Sequence, residues 1–334
     1  MAAKKVEAGR IAWVASLCLL MREPILRPLN SLERQDLPRV CQHLAKQGDL
    51  AGIVKLVATY PTFNFPKMAQ SLIYDACADN QAEILKYLLK VPTLILSPEL
   101  CMICASHVDL EDDATCLRLL LNDSRLDVQC DTRYDEDDPV QEFPLIWSAI
   151  QEPSSDAVRW LLALRPDEVD LGYEGSNHGF GHRMDCRDLN RHLIWEAEEE
   201  LDPGSGADGM SEEDLEKMMD GSHNWPSQHK LAESVIIEPL LHNFAQNKVE
   251  AVRRLRIALG LMEELFGLVV LLSDGHLSPA PGTGNRIGLR FFAMMERLPM
   301  ELQTIACRRV FGEGGDLIKS EHLEPALKHL IRLF

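Results

Sequence analysis

Two groups of residues in this 334-residue sequence have the types and spacing of metal ligands. Cys101 and Cys104 stand three apart with His107 three further on, the spacing of half a zinc site. A closed zinc site needs a fourth ligand, usually from a second pair, and none is nearby. His178, His182 and Cys186 recur every fourth residue, with His192 beyond them. On a helix they would share a face, but Gly179-Phe180-Gly181 argues against a helix there, which leaves a loop site. Two further strings resemble ligand loops and fail on inspection. Gly282-Thr283-Gly284-Asn285-Arg286-Ile287-Gly288 misses the dinucleotide fingerprint by one position and has no strand before it. Asp202 to Glu213 has the length of a calcium loop, but its third and fifth positions are Gly204 and Gly206 and its sixth is Ala207. No nucleophile elbow, phosphate loop or His-Glu-x-x-His is present. The expectation is therefore no catalysis, no metal and no cofactor, with a metal protein or enzyme built on His178, His182 and Cys186 as the more distant alternative.

The elements that would carry any site are helical. Only 6% of residues are aromatic and runs of Val, Ile or Thr are few, which points to an all-α chain. The net charge is −18 and it is local. Glu196 to Asp220 holds 11 acids against Lys217, and Asp131 to Glu142 six against Arg133, so these stretches carry −10 and −5 of the net −18. Such a balance gives no general affinity for phosphate backbones or anionic lipid, so neither nucleic acid nor membrane is an expected partner. Nine cysteines at unrelated spacings suit free thiols in a reducing, intracellular and cytoplasmic setting. The apolar run Ile11 to Met21, preceded by Lys4, Lys5 and Arg10, is too short to span a bilayer. No small-x-small cleavage site follows that run, since the chain continues Arg22-Glu23-Pro24, so residues 1–34 are expected to form an N-terminal helix packed against the first repeat.

One pattern recurs: an apolar pair, a Lys or Arg, then a leucine-rich turn. It appears as Ile53-Val54-Lys55-Leu56, Ile84-Leu85-Lys86-Tyr87-Leu88, Cys116-Leu117-Arg118-Leu119-Leu120, Ala157-Val158-Arg159-Trp160-Leu161 and, more loosely, Ala251-Val252-Arg253-Arg254-Leu255. Aligned on Val54, Leu85, Leu117, Val158 and Val252, the intervals are 31, 32, 41 and 94 residues. The two longer intervals contain the acidic stretches, as surface insertions would. Ahead of the first four copies lies a segment of helical character with a small residue near its end, Ala45, Ala76, Ala105 or Ala149, which lets paired helices approach closely. The first two intervals sit beside the period of about 33 residues of ankyrin repeats. Gly48-Asp49-Leu50 before Ile53 resembles the turn between the two helices of that repeat, and Phe143-Pro144-Leu145 is similar to its Thr-Pro-Leu helix opening. The resemblance implies an ankyrin-like helical repeat solenoid that binds another protein on its inner helices and linker tips. Tyr60, Phe63, Phe65 and Tyr134 are the linker aromatics that would anchor the partner, unless Phe63 and Phe65 pack inward.

The expected organisation is an N-terminal helix (1–34), ankyrin-like repeats (35–175), an acidic, partly disordered insertion (176–228), a degenerate repeat (229–260) and a C-terminal helical capping subdomain (261–334). Within the insertion, short helices are expected over Leu189 to Leu201 and from Ser211. In the capping subdomain, Arg297-Leu298-Pro299-Met300-Glu301-Leu302 with Ile305 and Val310 is similar to the opening of an F-box. An F-box-like segment after ankyrin repeats is the arrangement of poxviral ankyrin proteins, which implies a substrate adaptor recruiting a ubiquitin ligase through Leu298, Pro299, Glu301 and Leu302. Ala306 stands where that motif expects a larger apolar residue. In the simpler reading Pro299 opens a helix and both leucines belong to the capping core.

Overall fold

The computed structural model describes residues 31–60, 64–106, 114–129, 131–135, 138–173, 175–176, 183–201, 225–277, 286–312, 318 and 320–333. The expected N-terminal helix up to Asn30, the expected helix from Ser211, and His107, His178 and His182 lie outside these residues. The chain is all-α: helices carry the fold, and the strands among the described residues form two short antiparallel pairs. No helix among the described residues is long and apolar enough to cross a membrane. The chain divides into two compact units, Met1–Leu145 and Ile146–Phe334.

The first unit is built of helix pairs: α1 (Ser31–Lys46) with α2 (Leu50–Thr59), α3 (Phe65–Ala78) with α4 (Ala82–Leu89), and α5 (Pro98–Ser106) with α6 (Thr115–Asn122). Within it α1 packs on α3 and α3 on α5, while α2 packs on α4 and α4 on α6, so the pairs stack in two rows. The turns follow from sequence. Gly48 takes the left-handed conformation (φ 71°) that ends α1, and Asp49 caps α2 by accepting from the Gly52 N–H at 2.8 Å. Asn80 (φ 48°), one of the few side chains that tolerates this region, does the same after α3. Asn64 caps α3, and Pro66 sits in its first turn, where its missing N–H costs nothing.

Ile53, Leu56, Ile84, Leu85, Leu88, Leu117 and Leu120 are fully buried, and Ala45 and Ala76 close the seams between paired helices. Val54 departs from its counterparts and is 43% exposed. Its helix heads the described row and has α4 on one side only, whereas α4 lies between α2 and α6. The linker Val91 to Ser97 is not a strand pair; it sinks Leu94 and Leu96 into the core. Further along, β1 (Asp131–Asp135) and β2 (Asp138–Phe143) form an antiparallel pair, with Asp131 opposite Phe143.

In the second unit, α7 (Leu145–Gln151) and α8 (Ser155–Leu164) precede the short pair β3 (Gly175–Ser176) and β4 (Arg183–Met184). Then come α9 (Cys186–Leu201), α10 (Trp225–Gln246), α11 (Lys248–Ala258), α12 (Leu261–Ser273), α13 (Arg286–Met295), α14 (Met300–Val310) and α15 (Ser320–Leu333). The helix expected over Leu189 to Leu201 starts three residues earlier, because Asp185 accepts from the N–H groups of Arg187 and Asp188. It packs along α10 and buries Cys186, Leu189 and Asn190, whose amide donates to the Ser234 carbonyl at 3.1 Å. The helix expected at the start of the acidic region is thus present and packed. Helices α10 and α11 both pack on α8, and Arg256 donates to the Ala163 carbonyl at 2.8 Å. Helix α12 is the centre of the C-terminal group, touching α13, α14 and α15 around Phe266, Val269, Met295 and Cys307. Gly267 permits this packing, since a Cβ there would meet Leu330 Cδ1 at 2.9 Å.

Candidate partner-binding groove

Of the four expected anchors, Tyr60 and Phe65 have described side chains, and neither is exposed. Phe65 opens α3 pointing inward, 8% exposed, its ring 5.7 Å from that of Tyr87. The inward alternative therefore holds for Phe65, for the ordinary reason that a phenyl ring beside a helix seam is better removed from water. Tyr60 is half-buried at the end of α2, where its N–H bonds to the Leu56 carbonyl. Phe63 lies outside the described residues, and Tyr134 stands in β1 with its side chain outside them.

The exposed side chains with binding character lie instead along the α1–α3–α5 row. Gln42, Lys67, Gln70, Ser71, Tyr74 and Asp75 line an open groove of about 550 Å³ between α1 and α3. Helical spacing makes the wall: Lys67, Ser71 and Tyr74 stand at i, i+4 and i+7 of α3, and all three are exposed. Cross-helix bonds fix the floor and rim. Gln42 Nε2 donates to Ser71 Oγ at 3.2 Å, and Lys46 pairs with Asp75 at 3.5 Å. Gln70 grips the linker through both its amide atoms, donating to the Ile95 carbonyl at 3.0 Å and accepting from the Ile95 N–H at 2.9 Å. That holds Ile95, 72% exposed, beside the groove. Tyr74 Oη reaches Glu99 at 3.4 Å. Partial burial pushes the Tyr74 phenol up; the nearby Ser97 hydroxyl opposes this and the Glu99 carboxylate reinforces it. Tyr74 and Ile95 were missed in the sequence because Tyr74 reads as one more helix residue and Ile95 as one of several apolar linker residues.

The cysteines are packing residues: Cys101 and Cys104 are buried in α5. Contact with the Cys116 and Cys77 thiols, together with burial, holds the Cys104 thiol well above its ordinary value. Burial pushes Cys186 up to about 12. His192 stacks on Trp195 with ring centroids 5.7 Å apart and lies 3.6 Å from Glu196. Among the described residues no group of three His, Cys, Asp or Glu could hold a metal ion.

The F-box-like residues split. Leu298 is half-buried against the Phe266, Val269, Met295 and Cys307 core, and Pro299 stands at the N-terminal cap of α14. Glu301 and Leu302 are exposed, Leu302 by 47%. The expectation that both leucines belong to the capping core is therefore corrected for Leu302. The buried face of α14 is formed by Gln303, Thr304 and Cys307, and Gln303 is drawn in because its amide reaches the carbonyls of Met295 at 2.9 Å and Leu298 at 3.0 Å. That rotation leaves Leu302 and Ile305 outward. Leu302→Ala is expected to leave the thermal melt within about 0.5 kcal/mol of wild type, whereas Leu298→Ala should lower stability by about 1–2 kcal/mol, below the cost at a fully buried site. Equal melts for the two variants would show that the helix is turned otherwise.

No protein-family model, no curated protein and no solved structure matches the chain.

Proposed function

We propose that this chain is a non-catalytic protein-interaction scaffold, an ankyrin-like array whose partner docks on the α1–α3–α5 face. The stacked helix pairs with their left-handed turns at Gly48 and Asn80 support the ankyrin-like reading. The observation that carries the function is Ile95. A large aliphatic side chain standing in water is a weak anchor when its backbone is loose, but here Gln70 fixes that backbone at both polar atoms. Preorganisation of this kind spares the ordering cost at binding, and Tyr74 on the same face supplies the aromatic contact typical of interface centres. The seven described cysteines are buried free thiols, which suits a reducing intracellular setting.

A Tyr74→Ala, Ile95→Asp double variant tests this, used as bait beside wild type in a pull-down from native cell extract with quantitative mass spectrometry. At least one protein should be retained by wild type and reduced tenfold or more by the variant, at equal melting temperature. Identical eluates would overturn the assignment of the face. The ligase-adaptor reading is a second proposal, favoured by the outward Leu302 and Ile305. Leu302→Asp, Ile305→Asp should then release a ubiquitin-ligase component while the partner of the first face stays bound.

A further inference from the structure

We infer that the groove between α1 and α3 binds an extended peptide segment bearing an aspartate or glutamate, with that carboxylate on Lys67 and the peptide main chain on Gln42 and Ser71. The inference rests on the scaffold reading and adds the chemistry of the ligand. Its first support is charge. Lys46 is satisfied by Asp75, and Tyr74 reaches Glu99, but Lys67 has no acidic partner among the described residues. Lys67 is an exposed ammonium at one end of the groove, and locally, against the net charge of the chain, it is complementary to a ligand carboxylate.

The second support is hydrogen-bonding capacity. Gln42 uses its Nε2 on Ser71 Oγ, which leaves the Gln42 carbonyl oxygen as an acceptor and the Ser71 hydroxyl proton as a donor, side by side in the groove. One acceptor beside one donor is what an extended peptide needs for its own N–H and C=O. A helical ligand has already used these groups internally, so the pair selects an extended segment.

The spacing agrees. Lys67 and Ser71 are four residues apart on one face of α3, about 6 Å along the axis at the usual helical rise, and two residues of extended chain span about 7 Å. The acidic residue therefore stands two positions from the peptide group held at Ser71. Tyr74, three residues further along α3, meets the side chain on the opposite flank, where an apolar residue covers its ring.

The test uses the full chain as bait for a phage-displayed library of random dodecapeptides, followed by fluorescence anisotropy with the enriched peptides. Enriched sequences should carry Asp or Glu two positions from the residue whose main chain is held, with an apolar residue beyond. Binding should weaken with added salt, fall at least tenfold in Lys67→Glu, survive in Lys67→Arg and fall in Gln42→Leu. Lys67 is exposed, so matched thermal melts separate lost binding from lost folding. Basic or uncharged consensus peptides, acidic peptides indifferent to Lys67→Glu, or no selected peptide would each overturn the inference. A Tyr74- and Ile95-dependent partner in the pull-down would still stand in any of those cases, so the two readings fail separately.

Discussion

Leu85→Asp and Leu117→Asp are each expected to give insoluble or protease-sensitive protein, while Val54→Asp, at the aligned position of the first copy, melts like wild type. Leu85 and Leu117 are fully removed from solvent in the α2–α4–α6 row, so an aspartate there is either a buried charge or a carboxyl forced to protonate. Either way the loss is several kcal/mol, on top of the leucine's own burial of about 1.5–3 kcal/mol. Against a typical stability of about 5–15 kcal/mol, that removes most of the margin. Stacked units draw stability from their neighbours, so damage at α4 propagates to the pairs on either side. Val54 is 43% exposed and its carboxylate replacement can stay hydrated, which holds the expected change within about 0.5 kcal/mol. Limited proteolysis and thermal melts of the three proteins decide the matter. Collapse of Val54→Asp would mean that α2 is covered on its outer side.

That contrast marks how far the sequence can be read. Periodicity names the apolar pair in each copy, and burial of Ile84-Leu85, Cys116-Leu117, Ala157-Val158 and Ala251-Val252 follows from it. What periodicity lacks is the neighbour: Val54 has the same local pattern, and only the absence of a helix beyond α2 among the described residues exposes it. The candidate groove was less legible. Linker aromatics were the expected anchors, because tyrosine and phenylalanine on loops carry binding energy elsewhere, but Phe65 serves the α3–α4 seam instead. Tyr74 sits among helix residues whose outward direction depends on which face of α3 meets α1 and α5. The exposure of Ile95 depends on Gln70, 25 residues away, and no local signal announces that pairing. Likewise Leu302 has the composition of a core residue. Its outward turn is set by Gln303, a polar side chain buried because it finishes the carbonyls of Met295 and Leu298.

Arg125→Met should lower the stability of the first unit by about 2–3 kcal/mol while leaving its helix content intact, because this one side chain ties the α6 linker to the end of α4. Its guanidinium donates to the Val91 and Leu89 carbonyls, each at 2.7 Å, and pairs with Asp123 at 2.6 Å. Leu89 and Val91 lie where α4 ends, so their oxygens have no later helical N–H to accept from, and Arg125 supplies the missing donors from 34 and 36 residues further along the chain. Methionine keeps much of the aliphatic stem, so the variant removes charge and donors rather than bulk. Each charge-assisted bond is worth about 1.5–3 kcal/mol when sheltered, and the side chain is 30% exposed, so water recovers part of the loss. Lysine cannot serve in its place: a single ammonium lacks the planar fork that reaches two carbonyls and a carboxylate together, and Arg125→Lys should recover less than half of the difference. Urea unfolding followed by circular dichroism supplies the measurement. A lower midpoint at unchanged slope is the expected outcome, and a midpoint equal to wild type would mean that solvent satisfies those carbonyls as well as Arg125 does.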